Sequence, residues 1–322
     1  GLSLAVLGLL IFSWGGSMVN PNFDLTWRGL REVAANMPLH IFILGFIFVL
    51  IGFATKVGLA PMHTWLPDAH SEGPVPGSAM LSGALLNTAM LSLVRFVYTM
   101  DLTSAGVLGH TLLVILGALS LLISAFFLNG QVIVKRLMAY SSLEHMGVVA
   151  LGFGFGGVFG IAGSMYHMLN HSLNKSLMFF GCGNAMIPYD TKYIKDIRGI
   201  LKVFPRSGLF WFLGAVFITG APPGALFLSE FTILRGGFQS VNSWAAFFML
   251  IMLIIIFCAF MKHFFYMYTG KPNIKKPEYQ KLTSWQVVPM FIAVSGLITF
   301  GFWWPTGFWD YFINTANFLG VK

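Results

Sequence analysis

Residues 39–66 read LHIFILGFIFVLIGFATKVGLAPMHTWL. The stretch is largely apolar and as long as the ~18 or more residues that mark a membrane-spanning helix. It also contains Lys56, Gly58 and Pro61, in KVGLAP. Glycine and proline inside a span free backbone carbonyls, which is tolerated where the break is buried in protein or faces water. The reading is a broken transmembrane helix.

The remainder of the chain repeats the signal. Of its 322 residues, 57% are hydrophobic and only 9% charged, with a mean hydropathy of +0.78. A soluble domain carries about 25% charged residues. The apolar runs lack the alternation of a barrel strand, so the backbone must satisfy itself in helices. The expected class is an all-α integral membrane protein with nine segments, at 1–19, 39–66, 76–98, 106–128, 136–155, 159–186, 207–238, 243–269 and 286–306. The seventh is also interrupted, at GAPPGA. Paired broken helices point to an inverted repeat and a transport site, and these two lie five helices apart. The expected organisation is residues 1–98 as the end of a first repeat, 106–269 as a second, and 286–322 as a terminal helix and tail. The chain begins at Gly1, already inside an apolar run, and is expected to be a fragment.

Cys182 and Cys258 sit in separate apolar segments without ligand spacing, so neither a disulfide framework nor a zinc site is indicated. The formal charge of +8 does not argue for nucleic acid, because basic loops in a membrane protein set orientation. Eleven basic residues follow even-numbered segments, from Lys135 and Arg136 to Lys276 and Lys281, against Arg28, Arg31 and Lys322 on the other side. The even-numbered loops are therefore expected to be cytoplasmic, in a multi-pass protein of the cell's inner membrane.

Lys56, Glu144, His145, His167, His171, Lys175, Glu230, Arg235, Lys262 and His263 remain at membrane depth, with Arg95 nearer a helix end. An ionised group there costs at least ~2.5–3.5 kcal/mol, so such residues are usually kept for function. His167, His171 and Lys175 fall four residues apart and stack on one helix face. Histidines that titrate near neutral pH suit a proton relay. The bland readings are snorkelling for Lys56, helix-terminus pairing for Glu230, and interhelical hydrogen bonds for the column. As a metal site the column is poor, because no carboxylate or cysteine completes the ligand set and the lysine repels a cation. Glu144 and His145 are adjacent, so they are not expected to act together on one face. Lys262 and His263 lie near a cytoplasmic end, where snorkelling is the simpler reading. No phosphate loop, dinucleotide fingerprint, cluster ligand set or nucleophile arrangement is present. The chain therefore shows no catalytic residues and no cofactor site of its own.

Four stretches carry a resemblance: FATKVGLAPMHTWLPDAHSEGPVPGSAMLSGALLNTAMLSLVRF, VKRLMAYSSLEHMG, HMLNHSLNKSLMFFGCGN and GAPPGALFLSEFTILRGGF. In that order they resemble the Mrp-antiporter-like subunits of respiratory complex I and the group 4 membrane-bound [NiFe] hydrogenases. The resemblance implies a fold of fourteen transmembrane helices with two inverted five-helix repeats, of which the nine segments would be helices six to fourteen. It implies that Lys56 is the channel lysine, that Glu230 is its counterpart on the second broken helix, and that His167, His171 and Lys175 join the half-channels. Asn87, where many complex I members carry lysine, and the glutamate of SSLEHMG resemble the hydrogenase-4 and formate hydrogenlyase branch. The family's glutamate on helix five would precede Gly1.

The implied function is proton translocation driven by electron transfer in partner subunits. Lys56, partly buried, holds a proton, and the histidines pass protons toward Lys175 and Glu230, with Asn87, Glu144 and Lys262 as accessory candidates. Iron–sulfur clusters and a NiFe centre, or flavin and quinone, are expected in partners. Those partners are a peripheral redox arm and other membrane subunits, including further antiporter-like ones, with lipid and without nucleic acid. The alternatives are a complex I subunit, a Mrp-type cation/proton antiporter, a membrane subunit of an inorganic-carbon uptake system, and a scaffold with an inactive channel.

Overall fold

The computed structural model describes residues 1–276, 283–303 and 305–319. Lys281 and Lys322, counted above among the basic residues, lie outside the described residues. Among those described the chain is helical throughout, with one isolated bridge between Ile133 and Tyr193 and no strand. The helices are α1 (Leu2–Val19), α2 (Trp27–Ala34), α3 (Leu39–Val57), α4 (Trp65–Glu72), α5 (Val75–Met80), α6 (Leu86–Met100), α7 (Gly106–Asn129) and α8 (Val134–Phe155). They continue as α9 (Gly157–Tyr189), α10 (Ile200–Val203), α11 (Pro205–Ile218), α12 (Ala225–Gln239), α13 (Ser243–Tyr268), α14 (Ser284–Phe302) and α15 (Thr306–Phe318). A π-helical turn, Leu81–Leu85, joins α5 to α6 in one span.

Among the described residues six helices are long and apolar enough to cross a membrane: α1, α3, Val75–Met100, α7, α13 and α14. The helices α8, of 22 residues, and α9, of 33, are also long enough but less apolar. Their polar residues explain the difference, because these two helices hold most of the buried ionisable groups, among them Glu144, His145, His167, His171 and Lys175. Each of the nine expected segments corresponds to helix in the structure. The short helix α2 and the terminal α15 were not anticipated. Lys135 and Arg136, expected in a loop, start α8, where Lys135 is buried and its Nζ donates to Gly73 O at 2.6 Å.

Both interruptions are real breaks. Helix α3 ends at Val57 with Gly58 at φ +81°, a left-handed conformation that glycine adopts without steric cost. The chain stays non-helical until α4, and its freed groups are satisfied locally. Trp65 Nε1 donates to Thr55 O at 2.6 Å, and Ala60 N donates to Ser120 Oγ at 3.0 Å. The second break separates α11 from α12 at residues 219–224, with Gly220 at φ +68°. Here the turn bonds to itself, Ala221 N to Val216 O at 3.3 Å and Gly224 N to Ala221 O at 3.1 Å, while α9 holds the flanking helices: Asn170 Nδ2 donates to Ala225 O at 3.2 Å, and Asn174 Nδ2 to Gly214 O at 3.1 Å.

Helix α9 is the axis of the bundle, touching α5, α8, α11, α12, α14 and α15. At ~1.5 Å per residue it is about 50 Å long. Helix α8 lies beside it and is buried along nearly its whole length. At the end of α9, Lys276 Nζ donates to Asp190 Oδ1 at 2.8 Å. That ammonium holds the exposed Asp190 carboxyl below its ordinary value and ties the 271–276 segment to the helix end.

Candidate functional site

His167, His171 and Lys175 on α9 are fully buried. The i, i+4 spacing places them in a column, as expected, and α9 turns that column toward α4, α8 and α12. The unexpected member is His145 on α8. Its Nδ1 lies 3.0 Å from His167 Nε2, and its ring centroid is 5.2 Å from that of His171. Adjacent on α8, Glu144 and His145 face different partners, as expected. Both side chains are buried, with His145 against the histidines and Glu144 within electrostatic reach of Lys175 and Glu230. A helix enclosed on all sides presents two faces to two sets of partners.

Hydrogen-bond chemistry orders the protons in this cluster. Ser229 Oγ lies 2.8 Å from Leu226 O, and a carbonyl only accepts, so the hydroxyl proton points there. His167 Nδ1, 2.9 Å from Ser229 Oγ, is then the donor. In neutral imidazole the other nitrogen is an acceptor, so His167 Nε2 accepts from His145 Nδ1. His145 Nε2 is left with its lone pair and makes no well-formed hydrogen bond among the described residues, although the Ile218 backbone lies close to the ring. The hydrogen bonds therefore run one way, from His145 through His167 and Ser229 to Leu226.

At one end of the row stands Glu230, buried and with Oε1 unpartnered among the described residues. At the other end is His70 on α4, fully buried and stacked on Phe179 at 4.9 Å, within electrostatic reach of Lys175 and His171. Both ring nitrogens of His70 and of His171 are unpartnered among the described residues. Lys175 Nζ donates to Met138 O at 3.0 Å. The result is a buried polar row from α4, beyond the first break, to α12, beyond the second: His70, Lys175, His171, His145, His167, and then Ser229 with Glu230.

Glu230 also revises the expectation about metal. A carboxylate does join the column: ligand atoms of His145, His167 and Glu230 lie within 4.8 Å of one another. The fit is nevertheless poor. Tetrahedral zinc at ~2.0–2.1 Å from each nitrogen holds ligand atoms about 3.3 Å apart, whereas the two imidazole nitrogens are 3.0 Å apart and hydrogen-bonded to each other. Lys175 on the same column adds repulsion.

The other sequence candidates stand apart from the row. Lys56, expected to be partly buried, is exposed on the flank of α3, because among the described residues no helix covers that face. Asn87 lies behind the π-helical turn, where its Nδ2 donates to Gly83 O at 3.0 Å, Met168 O at 3.1 Å and Ser172 Oγ at 2.8 Å. It fastens α6 to a neighbouring face of α9. Lys262 reaches Asn129 Oδ1 at 3.1 Å at the end of α7, and His263 Nε2 lies 2.9 Å from Leu128 O. Arg235 lies 3.8 Å over the ring of Phe159. Sequence reasoning missed His70, His145 as a partner of the column, and Ser229. The i+4 rule finds neighbours on one helix and is blind to those brought in by another.

An all-helical, multi-pass membrane protein with two broken helices and a buried ionisable row between them is the class that fold and site define. Residues 2–257 match the family described as NADH:quinone oxidoreductase/Mrp antiporter, TM, and the chain belongs to that family. It is 39% identical over 240 residues to a hydrogenase-4 component F homolog of Methylacidiphilum infernorum (isolate V4), a match covering 74% of this chain and 50% of that protein. It is 34% identical over 242 residues to NAD(P)H-quinone oxidoreductase chain 4 1 of Synechococcus elongatus, covering 75% of this chain and 44% of that one. The chain thus spans about half the length of these curated relatives. Among solved structures, a chain of the Mrp complex from Dietzia sp. DQ12-45-1b superposes with a TM-score of 0.85 at 16% identity, over 99% of this chain and 67% of that one. This last likeness concerns the fold.

Proposed function

We propose that the chain is a proton-translocating, antiporter-like membrane subunit of a multi-subunit redox complex of the membrane-bound hydrogenase type. The observation that carries this reading is the buried set of ionisable side chains from His70 to Glu230, hydrogen-bonded at its centre from His145 through His167 to Ser229. The hydrogenase-type assignment is supported by the hydrogenase-4 component F relative. A quinone-linked complex is the second reading, supported by the quinone oxidoreductase relative.

The chemistry follows from the tautomers. A proton delivered to the free His145 Nε2 makes that ring cationic. His145 then passes its Nδ1 proton to His167 Nε2, and His167 passes its own Nδ1 proton to Ser229 Oγ. Ser229, its hydroxyl rotated away from Leu226 O toward Glu230, gives its own proton to the Glu230 carboxylate as it takes the one from His167, so that the serine stays neutral. His171 and Lys175 feed the row from the His70 side, and Glu144 balances Lys175. Lys56, exposed on α3, takes an acidic partner from outside the described residues. The two breaks are corresponding points of two repeated units, 1–98 and 106–269, with the even-numbered loops cytoplasmic. Electrons, and the iron–sulfur, NiFe, flavin or quinone groups that carry them, belong to partner subunits. Moving one charge against 100 mV costs about 2.3 kcal/mol, which a redox reaction supplies.

The test is proton uptake by proteoliposomes containing the intact complex. Lys56→Ala should abolish pumping while assembly and electron transfer persist. A normal number of protons per electron in that variant would remove Lys56 from the path.

A further inference from the structure

Three arginines near the ends of α2 and α6 share one cavity. Arg28, Arg31 and Glu32 on α2 and Arg95 on α6 line one cavity of about 620 Å³, together with Trp27, Leu102 and Phe318, so its three guanidiniums outnumber its one carboxylate. Helix α2 buries Leu30, Val33 and Ala34 against the bundle. Thr26 Oγ1 caps its start by accepting from Gly29 N at 3.0 Å. Arg28 Nε pairs with Glu32 Oε1 at 3.0 Å. Arg31 and Arg95 form no ion pair among the described residues, and the Arg95 guanidinium stands 5.4 Å over the Trp27 ring. Phe318 and Leu102 are exposed along the same wall.

We propose that this cavity binds one anionic phospholipid of the phosphatidylglycerol class. Its phosphate sits between the Arg31 and Arg95 guanidiniums, and its acyl chains run along Leu102 and Phe318. Guanidinium forks match phosphate oxygens in a bidentate arrangement. Basic pockets between transmembrane helices suit lipid headgroups, and tryptophan settles at headgroup level. Positive charge on this side runs against the topological bias of the rest of the chain, so it calls for a local counter-charge. The wall is cationic at one end and apolar at the other, which fits an amphiphile better than an acidic protein segment.

The intact complex in mild detergent, stripped of loosely held lipid, is incubated with mixed micelles of phosphatidylglycerol and phosphatidylcholine, and retained lipid is counted by mass spectrometry. The wild type should keep one phosphatidylglycerol per chain more than Arg31→Gln/Arg95→Gln, whose retention falls at least ten-fold. The charge-keeping Arg31→Lys/Arg95→Lys should still prefer phosphatidylglycerol. Equal retention of phosphatidylcholine by the wild type overturns the proposal before any variant is made. So does undiminished phosphatidylglycerol in the glutamine pair, or a photo-cross-link from position 102 to protein instead of lipid.

Discussion

His167 has both ring nitrogens engaged, one toward His145 and one toward Ser229, so it cannot be removed without opening the row. His167→Ala should cut proton pumping at least ten-fold in proteoliposomes while electron transfer continues. Ser229→Ala is a subtler probe. It leaves the His167 Nδ1 proton buried without an acceptor, which costs ~1–3 kcal/mol, and it removes the hydroxyl through which the proposed transfer reaches Glu230. A lower melting temperature together with slower pumping is expected, and unchanged pumping would take Ser229 out of the path. Lys262 is exposed and bonded to Asn129 at a helix end. Lys262→Ala should therefore pump normally, and the same assay reads it.

Among the elements, the second break is set by close contacts as much as by proline. Gly220 has a positive φ, and a side chain there would run into the Glu230 carboxylate. Gly220→Ala should cost at least ~1–2 kcal/mol from backbone conformation alone and should push Glu230 away from the histidines. The expected result is a lower melting temperature and impaired pumping. Gly130→Ala, in open space at φ −96°, serves as the tolerant comparison in the same scan. Both breaks were legible in the sequence, because KVGLAP and GAPPGA interrupt apolar runs that lipid would otherwise keep continuous. The row was only half legible. The His167–His171–Lys175 column follows from helical periodicity, but His145 and His70 enter from α8 and α4, and no periodicity within α9 encodes which helix lies against it. Lys56 shows the converse: its depth in the sequence pattern said nothing about which face of α3 it occupies.

For the whole molecule, the proposed topology puts the basic residues that follow α9 and α13 on the side opposite the Arg28–Arg31–Arg95 cavity, and that orientation is directly testable. In sealed inverted vesicles, a membrane-impermeant maleimide should label Lys195→Cys and should leave Asn242→Cys unlabelled until the membrane is opened. The reverse pattern would invert the proposed topology. The cost of keeping several ionisable groups inside one bundle, each at ~2.5–3.5 kcal/mol or more when charged, is met by enclosing them between α4, α8, α9 and α12. That enclosure also keeps the row away from lipid. The most direct measurement is the number of protons taken up per electron by proteoliposomes of the intact complex carrying His145→Gln. The ratio should fall while electron transfer and assembly persist, because the link between His171 and His167 is lost. An unchanged ratio would mean that protons do not travel along this row.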